Sequence, residues 1–163
     1  MRAIPLLAIM LALAGCDRLG ARAHAPIKAI EYAAGPCLGA CPVFSVTVAP
    51  SGAGTFVGAA DTAVDGSKDF RVSPAAFQAF ADTLEPLRPR EGDRDLSSCE
   101  HEWTDNANAT VSWIFADGTR QSVSVYFGCG QDYPDAVRIM RAAPGKLPIA
   151  EFVNGAKPHQ GKR

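Results

Sequence analysis

The sequence lacks three features that would point directly to a function. It has no block of basic residues. Its 16 Lys and Arg residues nearly balance its 17 Asp and Glu residues, and the formal net charge is −1. This balance argues against nucleic acid as a partner. The apolar run from Ile4 to Leu13 is too short to span a bilayer as a helix. There is no Gly-x-Ser-x-Gly motif and no His and Asp set that can be nominated as catalytic. We therefore expect neither enzyme activity nor a cofactor.

The composition is that of an ordinary globular domain. The 163 residues fit one domain. A hydrophobic content of 47% with 20% charged residues is typical of a chain with a packed core. The 12 prolines and 15 glycines indicate many turns and short elements.

The N-terminal segment has the features of an export signal. Arg2 precedes the apolar run, which ends in Leu13-Ala14-Gly15-Cys16. These four residues resemble the lipobox of bacterial lipoproteins. The resemblance implies cleavage before Cys16, lipidation of its sulfur and amino group, and a partner in the lipid bilayer on the periplasmic side. Asp17 resembles the inner-membrane retention signal of enteric bacteria.

Four cysteines remain after the lipidation site, namely Cys37, Cys41, Cys99 and Cys129. An even number in an exported chain is typical of disulfides. We predict that Cys37 pairs with Cys41 and Cys99 with Cys129, with loop-entropy contributions of ~2 and ~3.7 kcal/mol. Pairing of Cys37 with Cys99 or Cys129 remains open, because four cysteines allow three connectivities.

Two stretches of alternating apolar and polar residues predict hairpins. Ile27 to Tyr32 is expected as a first strand. Val43 to Ala49 continues into a three-residue loop, Pro50–Gly52, because this loop places Val46 opposite Phe56 on one face.

The second hairpin is predicted from Ala109 to Ala116 and from Thr119 to Phe127. Val111 faces Val123 only if the loop is Ala116–Gly118, with Gly118 left-handed.

Two helices are expected from their first residues and their apolar spacing. Ser73 is suited to be an N-cap before Pro74. The helix that follows has one apolar face, formed by Phe77, Phe80, Leu84 and Leu87. A second helix starts at Asp132-Tyr133-Pro134, with an inner side formed by Ala136, Val137 and Met140.

The other segments carry weaker signals. We expect loops at 59–68 and 88–95 and short strands at 69–72 and 149–153. The predicted fold is α+β, an antiparallel sheet built from two hairpins with two helices packed on one face and stapled by disulfides. The expected organisation is a signal peptide at 1–15, a lipidated tether at 16–26, one domain at 27–155 and a flexible tail at 156–163.

The segment Pro36 to Phe44, read PCLGACPVF and followed by an alternating strand, resembles a family of bacterial lipoprotein domains known as domain of unknown function number 6438. The likeness covers Ile27 to Gly155. Ser51-Gly52 stands where the family usually shows Asp-Gly. The resemblance implies the fold and the compartment, and it implies no activity.

The residues with chemical potential are scattered. Cys99-Glu100-His101-Glu102 has metal-ligand residue types without a second ligand pair, so we expect a polar loop and no metal site. His24 and His159 lie in the tether and the tail. The larger aromatics are expected in the core or at its rim, and they are Trp103, Trp113, Tyr126 and Tyr133.

Three functional hypotheses follow. The first is a non-enzymatic, membrane-anchored periplasmic module that binds a protein or another envelope component. The second is a thiol or metal protein that uses the four domain cysteines. The third is an inhibitor-like module that presents a loop to an envelope hydrolase, and this rests on analogy of fold alone.

Overall fold

The structure is a computed structural model and describes residues 25–155. The lipobox with Cys16, Asp17, His24 and the tail with His159 lie outside the described residues. Seven strands and three helices are present in the described part: β1 Ile27–Ala34, β2 Val43–Val48, β3 Ala53–Ala60, β4 Gly66–Arg71, α1 Pro74–Leu84, β5 Asp93–Leu96, β6 Asn108–Phe115, β7 Arg120–Tyr126, α2 Pro134–Ala142 and α3 Ala150–Asn154. No helix within 25–155 is long and apolar enough to cross a bilayer.

All seven strands form one sheet in the order β4-β3-β2-β1-β6-β7-β5. Strand β1 is central, with the first hairpin on one side and the second on the other. Every neighbouring pair is antiparallel except β5 and β7, which run parallel. The sheet is therefore mixed and wider than the two predicted hairpins.

Both predicted hairpin registers are confirmed. Val46 pairs with Phe56, and Val111 pairs with Val123. The loops end at glycines with positive φ, 82° at Gly52 and 84° at Gly118, a conformation that side chains with a Cβ disfavour. Alternation and turn chemistry therefore specified the same register in each hairpin.

Helices α1 and α2 pack on one face of the sheet and close the core. The Ser73 hydroxyl accepts a hydrogen bond from the Ala76 N–H at 3.2 Å, so the predicted N-cap is confirmed. Phe77, Phe80 and Leu84 of α1 are buried, as are the predicted apolar residues of α2. Leu87 is also buried, but it lies beyond the end of α1, in a 3-10 turn that contains Pro86. The opposite face of the sheet carries polar residues such as Thr47, Thr55 and Ser122.

Two predicted loops contain strands. Strand β4 begins at Gly66, inside the expected loop 59–68, and extends the short strand expected at 69–72. Strand β5 lies inside the expected loop 88–95 and reaches Leu96, its one buried residue. Both are edge strands, and edge strands need few apolar side chains because one side and most of one face stay in water.

The strand expected at 149–153 is wrong, because the structure has helix α3 there. Ile149, Phe152 and Val153 are spaced by three and then one, which places them on one helical face. The Phe152 ring packs edge-on against Phe56 at 5.6 Å and against Phe70 at 5.9 Å. Helix α3 therefore covers the β3–β4 end of the core.

Candidate functional site

Three segments meet at one end of the sheet, and we call this region the cysteine end. It consists of residues 35–42, 97–107 and 127–133. The Gly35 N–H donates to the Asn108 carbonyl at 2.9 Å, and the Phe127 N–H donates to the Ala107 carbonyl at 2.9 Å. These bonds hold the three segments around the start of β6.

A disulfide braces each half of the cysteine end. The structure pairs Cys37 with Cys41 and Cys99 with Cys129, each with Cα atoms 5.7 Å apart, which is the predicted connectivity. Cys129 is fully buried, whereas Cys37 and Cys41 are partly exposed. All four cysteines of the described part are thus oxidised, and in this state none offers a thiolate to a metal or a substrate.

The two most exposed large hydrophobic side chains of residues 25–155 lie at this end. Leu38 is 78% exposed in the Cys37–Cys41 ring, and Trp103 is 70% exposed in the loop that follows Cys99. Single exposed hydrophobic residues are common on soluble proteins. Two of them on braced loops at the same end form a better candidate for a contact surface.

The backbone of Trp103 is held in place although its indole is exposed. Its N–H donates to the Gly128 carbonyl at 3.0 Å. Its carbonyl accepts from the Asn106 amide at 3.1 Å and from the Tyr126 hydroxyl at 3.1 Å. The indole is therefore presented from a fixed point of the chain.

His101 and Asp132 tie the same loop to the start of α2. The His101 backbone N–H donates to Asp132 Oδ2 at 2.8 Å, and the His101 Nδ1 lies 2.9 Å from Asp132 Oδ1. These contacts, the backbone bond first, hold the pKa of the Asp132 carboxyl below its usual value. The pair acts as a clasp for the loop.

A cleft of about 270 Å³ opens beside Trp103. The Arg141 guanidinium lies over the Phe127 ring, 5.0 Å from its centroid. Gly128 has no room for a side chain, because a Cβ there would lie 2.1 Å from the Trp103 carbonyl oxygen. The lining residues are Trp103, Asn106, Phe127, Gly128, Gly130, Gln131 and Arg141.

A family model described as a domain of unknown function, DUF6438, matches residues 28–143. The chain belongs to this family. The matched range contains the cysteine end, both disulfides and Arg141, whereas α3 lies beyond it. A search of curated proteins finds no match.

The other residues that the sequence analysis singled out contribute to the packing and the hydrogen bonds of the DUF6438 domain. Trp113 is completely buried, and the Tyr133 hydroxyl donates to the Ser98 carbonyl at 3.4 Å. Within residues 25–155, no group of three or more His, Cys, Asp or Glu side chains is placed to hold a metal ion. His101 of the Cys99–Glu102 loop contacts Asp132 instead.

Sequence reasoning missed the cleft. Arg141 lies on α2 and Gly128 in the turn after β7, so no local motif joins them to Trp103.

Proposed function

We propose that this DUF6438 domain is a non-enzymatic binding module that recognises a protein or another envelope component through its cysteine end. The observation that carries the proposal is that Leu38 and Trp103 are exposed on disulfide-braced loops at the same end of the sheet, with the Arg141 cleft beside Trp103. Tryptophan and arginine are the residues that most often dominate binding energies at protein interfaces.

The bracing favours binding because it lowers the entropy lost on association. A loop that is already ordered loses less conformational freedom when a partner arrives than a loose loop does. The Cys37–Cys41 ring holds Leu38, and hydrogen bonds to Gly128, Asn106 and Tyr126 hold Trp103. The backbone at Leu38 and at Trp103 is therefore already ordered before a partner binds.

The proposed membrane attachment suits this assignment. We propose that the chain is a lipoprotein anchored through Cys16 on the periplasmic side, with Asp17 favouring the inner membrane. The chain enters the domain at Pro26, whose carbonyl accepts from the Ala116 N–H at the opposite end of the sheet. Strand β1 separates the two ends by about 26 Å, at about 3.3 Å for each of its residues. The cysteine end is therefore remote from the point of attachment and accessible to a partner.

Site-specific photo-crosslinking in intact cells tests the proposed surface. A photo-crosslinking phenylalanine derivative at position 103 should give a discrete adduct, and the same derivative at Ser51, in the hairpin loop at the opposite end, should give none. The proposal fails if both positions give the same adducts or if position 103 gives none while Ser51 does. Replacing Cys16→Ser tests the anchor separately, since it should release the chain from the membrane fraction.

A second candidate function is inhibition of an envelope hydrolase, and the presentation of Leu38 favours it. The residue is 78% exposed in a short disulfide ring, a shape that can enter a substrate cleft. Envelope hydrolase activity should then fall when the full chain is added and recover with the Leu38→Ser variant. Equal activity with and without the chain would eliminate this candidate.

A further inference from the structure

Arg141 is the charged group of the cleft, and its guanidinium has no acidic partner within residues 25–155. It stacks on the face of the Phe127 ring, and it also lies near the buried Tyr32 hydroxyl, where its charge partly offsets the rise that burial causes in the pKa of Tyr32. Two other arginines bond instead to carboxylates three residues away: Arg88 to Glu85 at 2.8 Å and Arg138 to Asp135 at 2.9 Å. The stacking on Phe127 leaves the edges of the Arg141 guanidinium, with its five N–H donors, available for a ligand.

The cleft is built so that a ligand can approach closely. Gly128 and Gly130 contribute backbone without side chains, and Gly128 is buried. Trp103 adds an exposed aromatic surface on one side. An anionic group near Arg141 would therefore have an aromatic surface beside it for an apolar portion of the same molecule.

The size of the cleft suits a small chemical group. Its volume of about 270 Å³ lies just below the range of about 300 to 1,000 Å³ that holds drug-sized molecules. The cleft thus suits the terminal residue of a peptide chain better than a complete drug-sized molecule.

The charges on the loop beside the cleft disfavour an anion with more than one negative charge. The loop that carries Trp103 also carries Glu100, Glu102 and Asp105, all exposed. A phosphate with a charge of about −1.5 to −2 would be repelled by these groups more strongly than a carboxylate.

We propose that the cleft binds a terminal carboxylate, with the Arg141 guanidinium forming a bidentate ion pair and Trp103 covering the apolar side chain next to that carboxylate. This deepens the proposed function, because the terminal carboxylate would belong to the partner. A free small carboxylic acid carries the same carboxylate group as a chain end, so it also fits the cleft.

The chain contains two tryptophans, and this allows a direct test. Trp113 is fully buried and serves as a constant background, whereas Trp103 borders the cleft. The full-length chain in detergent is titrated with a set of N-acetylated Gly-Gly-X tripeptides, each as a free acid and as an amide, while tryptophan emission and heat are recorded.

We expect saturable binding of at least one free acid, and binding about tenfold or more weaker for its amide. The matching N-acetylated single amino acid separates the two sources: equal binding indicates a small carboxylate, and weaker binding indicates a chain end. Equal affinity of acid and amide, or no binding of any acid at millimolar concentration, would overturn the proposal.

Substitutions locate the site. Arg141→Gln should abolish the preference for the acid, and Arg141→Lys should retain part of it, because lysine keeps the charge and loses the bidentate geometry. Arg138→Gln, one turn earlier on the same helix, is the matched control and should bind like the wild type. If tripeptides fail to bind while position 103 still crosslinks a partner, the carboxylate assignment is wrong and the binding surface stands.

Discussion

Removing the Cys99–Cys129 disulfide should destabilise the domain more than removing the Cys37–Cys41 disulfide. The two pairs are separated in sequence by 30 and 4 residues. Because the entropy gained by an unfolded chain rises with the length of the ring that is opened, the expected losses are ~3.7 and ~2 kcal/mol. Burial increases the difference, since Cys129 is fully buried and its replacement leaves a cavity.

The assay is equilibrium unfolding in urea of two double variants, Cys99→Ala with Cys129→Ala and Cys37→Ala with Cys41→Ala. The first should lose more free energy of unfolding, with unchanged dependence on denaturant concentration if both remain two-state. Partial reduction gives an independent check: the partly exposed Cys37 and Cys41 should be alkylated before the buried Cys129. An equal or larger loss from opening the small ring would refute the reasoning.

Three further predictions concern the fold and the clasp. Phe56→Ala should cost about 3–5 kcal/mol in urea unfolding, because the ring is fully buried against Phe152. Gly118→Ala should cost about 1 kcal/mol through its positive φ alone, whereas Gly145→Ala, also in open space but without a positive φ, should be nearly neutral in the same assay. Asp132→Asn should lower the midpoint of thermal unfolding at pH 7. Because the folded pKa of Asp132 lies below its ordinary value of 3.8, the stabilisation is present above that pH and lost as the pH falls below it, so variant and wild type should converge in acid. A difference that persists unchanged at low pH would contradict this assignment.

The centre of the fold could be predicted from the sequence because its signals are local. In both hairpins, alternation and a glycine at the end of the loop point to one register, and one glycine conformation satisfies each turn. The N-cap at Ser73 is likewise a short-range pattern. Such agreement between neighbouring signals is what makes a register readable.

The edges of the fold carry weaker signals. Strand β5 has the sequence Asp-Arg-Asp-Leu, and its pairing with β7 depends on hydrogen bonds that any side chain permits. The segment 149–153 was expected as a strand, because a short apolar run does not by itself distinguish a strand from a helix; the structure shows helix α3 there.

The candidate site could be predicted only in part. The spacing of the cysteines favoured the pairing of Cys37 with Cys41 and of Cys99 with Cys129 but left the other connectivities open, and the structure has the favoured one. The cleft depends on contacts between distant residues: the need for glycine at position 128 arises from the Trp103 carbonyl, which approaches only in the folded chain. Neither the amino-acid composition nor a local sequence motif indicates this contact between distant residues.

Comparative co-purification tests the central claim, that the cysteine end is the binding surface. The tagged full-length chain is isolated from solubilised membranes as wild type, with Leu38→Ser and Trp103→Ala combined, and with Ala116→Ser at the opposite end as control. All three must retain the same unfolding midpoint to within a small margin. We predict that the partner bound by the wild type is lost from the double variant and kept by the Ala116→Ser variant. Retention of the partner by the double variant, or its loss from the Ala116→Ser variant, would contradict the account.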